Sequence, residues 1–125
     1  MNKLASKVPP GCDGLWFNPC FFGERGREGL KASIMGLDAT NFTPGHLSRG
    51  ALEGMIKILY NYYENMAEPR KYIIGSGNAI KKNKVLHEII EQIFNLKLKL
   101  NTIQEEAAYG AALLVSYQYV NSKTT

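Results

Sequence analysis

Lys71 to Leu86 reads KYIIGSGNAIKKNKVL, and the way this stretch is understood decides the fold of the rest of the chain. Tyr72 to Gly75, with Ile73 and Ile74 at its centre, suits a short buried strand. Gly75-Ser76-Gly77-Asn78 is a turn of small residues, and an amphipathic helix follows it. A strand that ends in a glycine-rich turn and feeds a helix is where α/β proteins hold phosphates and nucleotides. Glycine lets backbone N–H groups approach a ligand, and the helix N-terminus carries partial positive charge. The motif alone is weakly specific: its spacing differs from the dinucleotide fingerprint, and the chain contains no GxxxxGK[ST]. A tight βα turn with no ligand stays open as a second reading.

On the C-terminal side, Leu86, Ile89, Ile90, Ile93 and Phe94 mark one helical face, with Asn83 as N-cap and Asn95 as the stop. Lys81, Lys82 and Lys84 stand just after the turn, where they either favour a phosphate-bearing ligand or form a solvated helix start. Leu96 to Leu100, LKLKL, alternates as a half-buried strand. Thr102-Ile103-Gln104-Glu105 has the S/T-x-x-E form of a capping box. It predicts a third helix through Ala107, Ala108, Gly110, Ala111 and Ala112, small enough to lie close against a sheet or loop.

On the N-terminal side, residues 1–14, with Pro9, Pro10, Gly11 and Gly14, are expected as a flexible lead-in. Leu15 to Phe22, LWFNPCFF, is strand-like until Asn18-Pro19, because proline cannot donate to a ladder. Gly23 to Gly29 is a charged loop in which Glu24 and Arg25 are expected to form a salt bridge. Ala32 to Leu37 is a second strand. Thr43 and Pro44 make a strong helix start as N-cap and first helical residue. Leu47, Ala51, Leu52, Met55, Ile58, Leu59, Tyr62 and Met66 then predict the apolar face of a helix that ends before Glu68-Pro69. His46 is read as a capping or surface histidine with no acidic partner, and Tyr60, Tyr62 and Tyr63 as core and rim.

The predicted order is β-β-α-β-α-β-α, an α/β layer architecture in which residues 15–120 form one domain and 121–125 a tail. The βα units at 72–95 and 96–119 should make right-handed crossovers to parallel strands. With 125 residues the chain is long enough to bury a core of its own. No apolar run is long enough to span a membrane, and the N-terminus lacks the apolar core of a signal peptide. Cys12 and Cys20 lack CxxC spacing and a nearby histidine pair, so they are read as reduced thiols of a cytoplasmic protein, with no metal site. The net charge of +4 is not interleaved with aromatics along one face, which argues against a nucleic-acid partner.

Five blocks in order carry a resemblance. They are Phe22-Gly23-Glu24-Arg25, Ile34-Met35-Gly36-Leu37, His46 to Gly54 (HLSRGALEG), Ser76-Gly77-Asn78-Ala79, and Glu105 to Ala112 (EEAAYGAA). Together they resemble the C-terminal domain of FGGY-family carbohydrate kinases over roughly residues 15–118. Thr43 to Leu47, Ser76 to Asn83 and Val85-Leu86 resemble the sedoheptulokinase branch of that family in particular.

The resemblance implies part of an actin-like ATPase fold, one of two ribonuclease-H-like domains that close on nucleotide and sugar. It implies that Gly75, Ser76, Gly77 and Asn78 face the phosphate–ribose end of ATP or ADP, and that Asn83 bonds the adenine. Asn78 stands where most relatives have a third glycine, and its short side chain tolerates left-handed geometry. The family's full chain is several times longer. Its N-terminal domain, both phosphate hairpins, its sugar-contacting residues and its catalytic aspartate have no counterpart in this sequence. Asp13 and Asp38 lie outside the catalytic context, so no catalytic residue is assigned. Phosphoryl transfer needs the γ-phosphate, metal and acceptor positioned together. The chain is therefore expected to be inactive alone, with Mg bound only in a complete enzyme. A separate N-terminal kinase domain or self-association is the expected partnership. The alternative is a non-catalytic interaction module that keeps the fold without the nucleotide.

Overall fold

The computed structural model describes residues 2–66, 68–103 and 105–122. Gln104 of the expected capping box and Lys123 to Thr125 of the expected tail lie outside the described residues. The chain runs through α1 (Asn2–Ala5), a 3-10 turn (Cys12–Gly14), β1 (Trp16–Asn18), β2 (Ser33–Met35) and α2 (Pro44–Glu64). It continues through β3 (Tyr72–Gly75), α3 (Asn78–Lys81), α4 (Lys84–Phe94), β4 (Lys97–Leu100) and α5 (Glu106–Ser122).

The strands form two small sheets rather than one layer. β1 and β2 pair antiparallel, with Phe17 opposite Ile34. β3 and β4 pair parallel, from Tyr72 opposite Lys97 to Gly75 opposite Leu100. α4 supplies the crossover that a parallel pair requires. Its ends are set locally: the Asn83 side chain accepts the Leu86 N–H at 3.1 Å, and Asn95 closes the helix at φ 50.

α2 begins where expected, with Thr43 Oγ1 accepting the His46 N–H. Its buried face matches the one the periodicity of large apolar residues predicted only in part, with Leu52 buried and Leu47 packed on the core. Met55, Leu59 and Tyr62 are exposed, whereas Gly45, Arg49, Gly50, Leu52, Glu53, Gly54 and Ile56 are buried. The cause is backbone approach. A Cβ on Gly54 would sit 2.1 Å from the Phe17 carbonyl oxygen, and one on Gly50 would sit 2.8 Å from Leu15 Cδ2. Glycine is what lets β1 lie directly on the helix.

Residues 2–14 are not a flexible lead-in. Ala5, Val8 and Cys12 are buried, and α1 packs on α2. One core cluster joins Ala5, Leu52, Ile56 and four α4 residues, with Ile73, Ile80 and Leu98 against it. A second joins Val8, Cys12 and Leu15 with Phe17 and Leu47. Tyr60 and Tyr63 pack on Phe94 at centroid distances of 5.3 Å.

α5 also departs from expectation. It starts at Glu106 and extends through Ser122, so residues 121 and 122 belong to a helix rather than a tail. From Ala107 to Tyr119 every side chain is exposed, so its small residues do not pack on a sheet. No helix among the described residues is long and apolar enough to cross a membrane.

Candidate functional site

β3 delivers the chain into the glycine turn. Gly75 is buried, and its carbonyl accepts the Asn101 N–H at 2.9 Å. A Cβ on Gly75 would lie 2.9 Å from Ile80 Cγ2 and 3.1 Å from Leu98 Cδ1, so packing alone requires glycine there. Gly77 differs in kind. Its φ of 91 lies in the region that favours glycine, and nothing stands within 4 Å of where a Cβ would be. Ser76 and Asn78 are exposed. The turn thus opens to solvent, as a ligand-binding turn must.

Asn83 lies beyond α3, a short helix that the sequence did not suggest. Its Oδ1 is committed to capping α4, which leaves its NH2 as the hydrogen-bonding group for a ligand. Of the lysines after the turn, Lys82 and Lys84 are exposed and only Lys81 folds back. Lys81 Nζ pairs with Glu106 Oε1 at 2.8 Å and donates to the Ile103 carbonyl. The same carboxylate oxygen accepts the Gly77 N–H at 3.4 Å. The hydrogen bond from Lys81 is the main reason that Glu106 is held below the usual carboxylate range, with Gly77 and Ser76 adding to it. Lys81 belongs to the lysine cluster that the sequence places beside the turn, whereas Glu106 had not been tied to it. The nearest sequence signal was the Glu105-Glu106 pair opening a small-residue helix.

Two further clusters join distant segments. His46 does have an acidic partner: Nε2 donates to Asp13 Oδ2 at 2.9 Å, while Nδ1 lies 2.7 Å from Thr43 Oγ1. The pairing spans from the 3-10 turn to the start of α2, a link invisible to local pattern. Deeper on α2, Arg49 Nε donates to Glu53 Oε1 at 2.8 Å, with both side chains nearly inaccessible. Glu53 also accepts the Gly11 N–H at 3.1 Å, and Arg49 reaches Gln92 on α4. Cys12 lies in this region, and burial pushes its thiol up to about 11, so it is protonated and unreactive at neutral pH. Both cysteines are free.

The Glu24–Arg25 salt bridge gives way to a different pairing. Glu24 Oε2 meets Arg27 Nη1 at 3.7 Å, and the Tyr62 hydroxyl donates to Glu24 Oε1 at 2.8 Å. This ties the charged loop to α2 beside an apolar cavity of about 450 Å³ lined by Pro19, Cys20, Met55, Leu59, Ile80 and Leu86. That cavity shares no lining residue with Gly75 to Asn78 or with Asn83.

The chain is similar to known proteins along most of its length. The gluconokinase of Bacillus subtilis (strain 168) is 31% identical over 124 residues, covering 94% of this chain and 24% of its own. The sedoheptulokinase of Homo sapiens is 27% identical over 112 residues, covering 87% and 23%. The crystal structure of Plasmodium falciparum glycerol kinase with ADP matches with a TM-score of 0.72 and 26% identity, over 90% of this chain and 23% of that one. The chain spans roughly a quarter of the length of each. These relatives are named for three different acceptors, so sedoheptulokinase is not singled out among them. What they share is the sugar-kinase fold, the actin-like ATPase architecture. Residues 1–119 match the C-terminal domain of the FGGY family of carbohydrate kinases, and the chain belongs to that family.

Proposed function

We propose that this chain is the adenine-nucleotide side of an ATP-dependent sugar kinase and transfers no phosphate by itself. The observation that carries the reading is the turn at Ser76 to Asn78. It is exposed, open above Gly77, and held at the end of a parallel strand in a family of kinases. Gly75 gives the turn its close packing, Gly77 its backbone donor, and Ser76 and Asn78 their side-chain polar groups. The Asn83 amide NH2 is the group left to meet the base. The relative solved with ADP supports an adenine nucleotide as the ligand.

The acceptor we assign is a ketose of the sedoheptulose type, supported by Thr43 to Leu47 and Ser76 to Asn83. Inactivity follows from the chemistry. In-line transfer requires acceptor, metal and base held against the γ-phosphate, and among the described residues none is assigned as that base.

Titration of the purified chain with ADP and ATP tests the reading. Weak saturable binding is expected, because one wall of a two-domain cleft binds less than both. Absence of binding by a chain shown to be folded would refute it. Phosphate transfer from ATP to sedoheptulose by this polypeptide alone would refute the inactivity. One observation favours a second reading, that of an interaction module without nucleotide: the Gly77 N–H already donates to Glu106. The same titration separates the two.

A further inference from the structure

The feature of the turn that the kinase reading leaves unused is the carboxylate lying on it. Glu106 belongs to the first turn of α5, 29 residues beyond Gly77, yet its Oε1 accepts the Gly77 N–H and pairs with Lys81. These are the two donors that an anionic ligand at the turn needs, a backbone N–H beside glycine and a nearby cation. The N–H has a single hydrogen and serves one strong acceptor at a time. The Lys81 ammonium is divided between Glu106 and the Ile103 carbonyl. A phosphate brought to Gly77 therefore meets a carboxylate already in place, and like charges a few ångströms apart repel strongly in a partly buried setting.

The carboxylate also does a mechanical job. The side chains of α5 from Ala107 to Tyr119 are exposed, and Glu106 in its first turn ties the helix to Gly77 and Lys81. Two bonds hold the connection from β4: the Asn101 N–H to the Gly75 carbonyl, and Lys81 to the Ile103 carbonyl. Both converge on the same few residues as the Glu106 contact.

We propose that Glu106 is an intramolecular competitor for the nucleotide's phosphates: its carboxylate occupies the Gly77 N–H and neutralises Lys81, so phosphate entry and the docking of the first turn of α5 oppose each other. This rests on the nucleotide reading above and adds a residue that sets the strength of that binding. The ligand class concerned is the phosphate-bearing end of the nucleotide. The uncharged nucleoside does not contend with the carboxylate.

The test compares ADP with adenosine, by titration of the full chain followed through the Gly77 amide signal in NMR. Glu106→Gln keeps an oxygen to accept the Gly77 N–H and removes only the charge. It is expected to tighten ADP by about fivefold or more, in the range of an ordinary coupling between sites, and to leave adenosine unchanged. Lys81→Met is expected to weaken ADP and spare adenosine. Circular dichroism and the spectrum itself report whether each variant folds. Unchanged or weaker ADP binding in folded Glu106→Gln, with the unsubstituted chain binding ADP, overturns the competition and leaves the nucleotide reading standing. Tightening of adenosine to the same degree as ADP overturns it as well, since the effect would then not lie in charge. If neither protein binds ADP or adenosine, the nucleotide reading falls and takes this inference with it.

Discussion

At the scale of single residues, glycines on helices divide into those that neighbours require and those that nothing touches. Gly54 faces the Phe17 carbonyl, and its Cβ would overlap that oxygen at 2.1 Å. Gly54→Ala should cost about 1–3 kcal/mol or more in urea unfolding, because β1 must move off α2. Gly110, by contrast, has nothing within 4 Å of a Cβ. Gly110→Ala should raise the helicity of α5, since alanine is favoured in a helix interior by about 1 kcal/mol. A fall in helical signal would contradict the exposed setting of that helix. Asp38 supplies the pH dependence. The Thr40 hydroxyl first, then the Thr40 and Asn41 N–H groups, hold its carboxyl below the usual range. Its folded pKa lies below the unfolded one, so the stabilisation is complete above about pH 4 and disappears as pH falls through the folded value. Asp38→Asn should flatten that part of the acid-unfolding curve and lower stability at neutral pH.

At the scale of elements, the junction of the N-terminal segment, α2 and α4 rests on a buried ion pair. Arg49 and Glu53 satisfy each other, and between them they reach Gly11 and Gln92. Removing one partner leaves a buried charge, so Glu53→Ala should cost about 3–5 kcal/mol, whereas Arg49→Met combined with Glu53→Leu should recover much of that loss. Chemical denaturation of the two single variants and the pair decides it. A double-variant loss equal to the sum of the two single losses would mean that the pair is not coupled. α4 is held by its own cap, and Asn83→Ala should lose about 1 kcal/mol of stability. If Asn83 also meets the base, ADP affinity should fall in a variant that remains folded. The ends of these helices were legible in the sequence because each depends on a residue and its neighbours three or four places away. Thr43 reaches the His46 N–H, and Asn83 the Leu86 N–H. The face that α2 buries was legible only at Leu47 and Leu52. A stripe of Leu, Met and Tyr normally wins burial, and here a row of glycines and a matched ion pair won it instead.

At the scale of the whole molecule, two two-stranded sheets leave both β3 and β4 with an open edge. Ile74 on β3 and Leu114, Val115 and Tyr117 on α5 are more than half exposed. Open edges beside apolar surface favour pairing between chains, and two-stranded sheets are marginal alone. The isolated chain should therefore self-associate or melt broadly, as light scattering and a thermal scan would report. A monodisperse monomer with a sharp transition would count against this.

The sequence by itself determined the start of α2, both ends of α4, the parallel βα unit around the glycine turn and, through five ordered blocks, the family. Tertiary structure alone decided that Glu106 lies on Gly77, that Asp13 meets His46, and that Asn41 reaches both Gly36 and Asp13 from a fully buried position. Caps and periodicity are set by groups within one helical turn, so they are written locally. A contact across 29 residues exists only once β3 and β4, the strands that lead into its two ends, have paired.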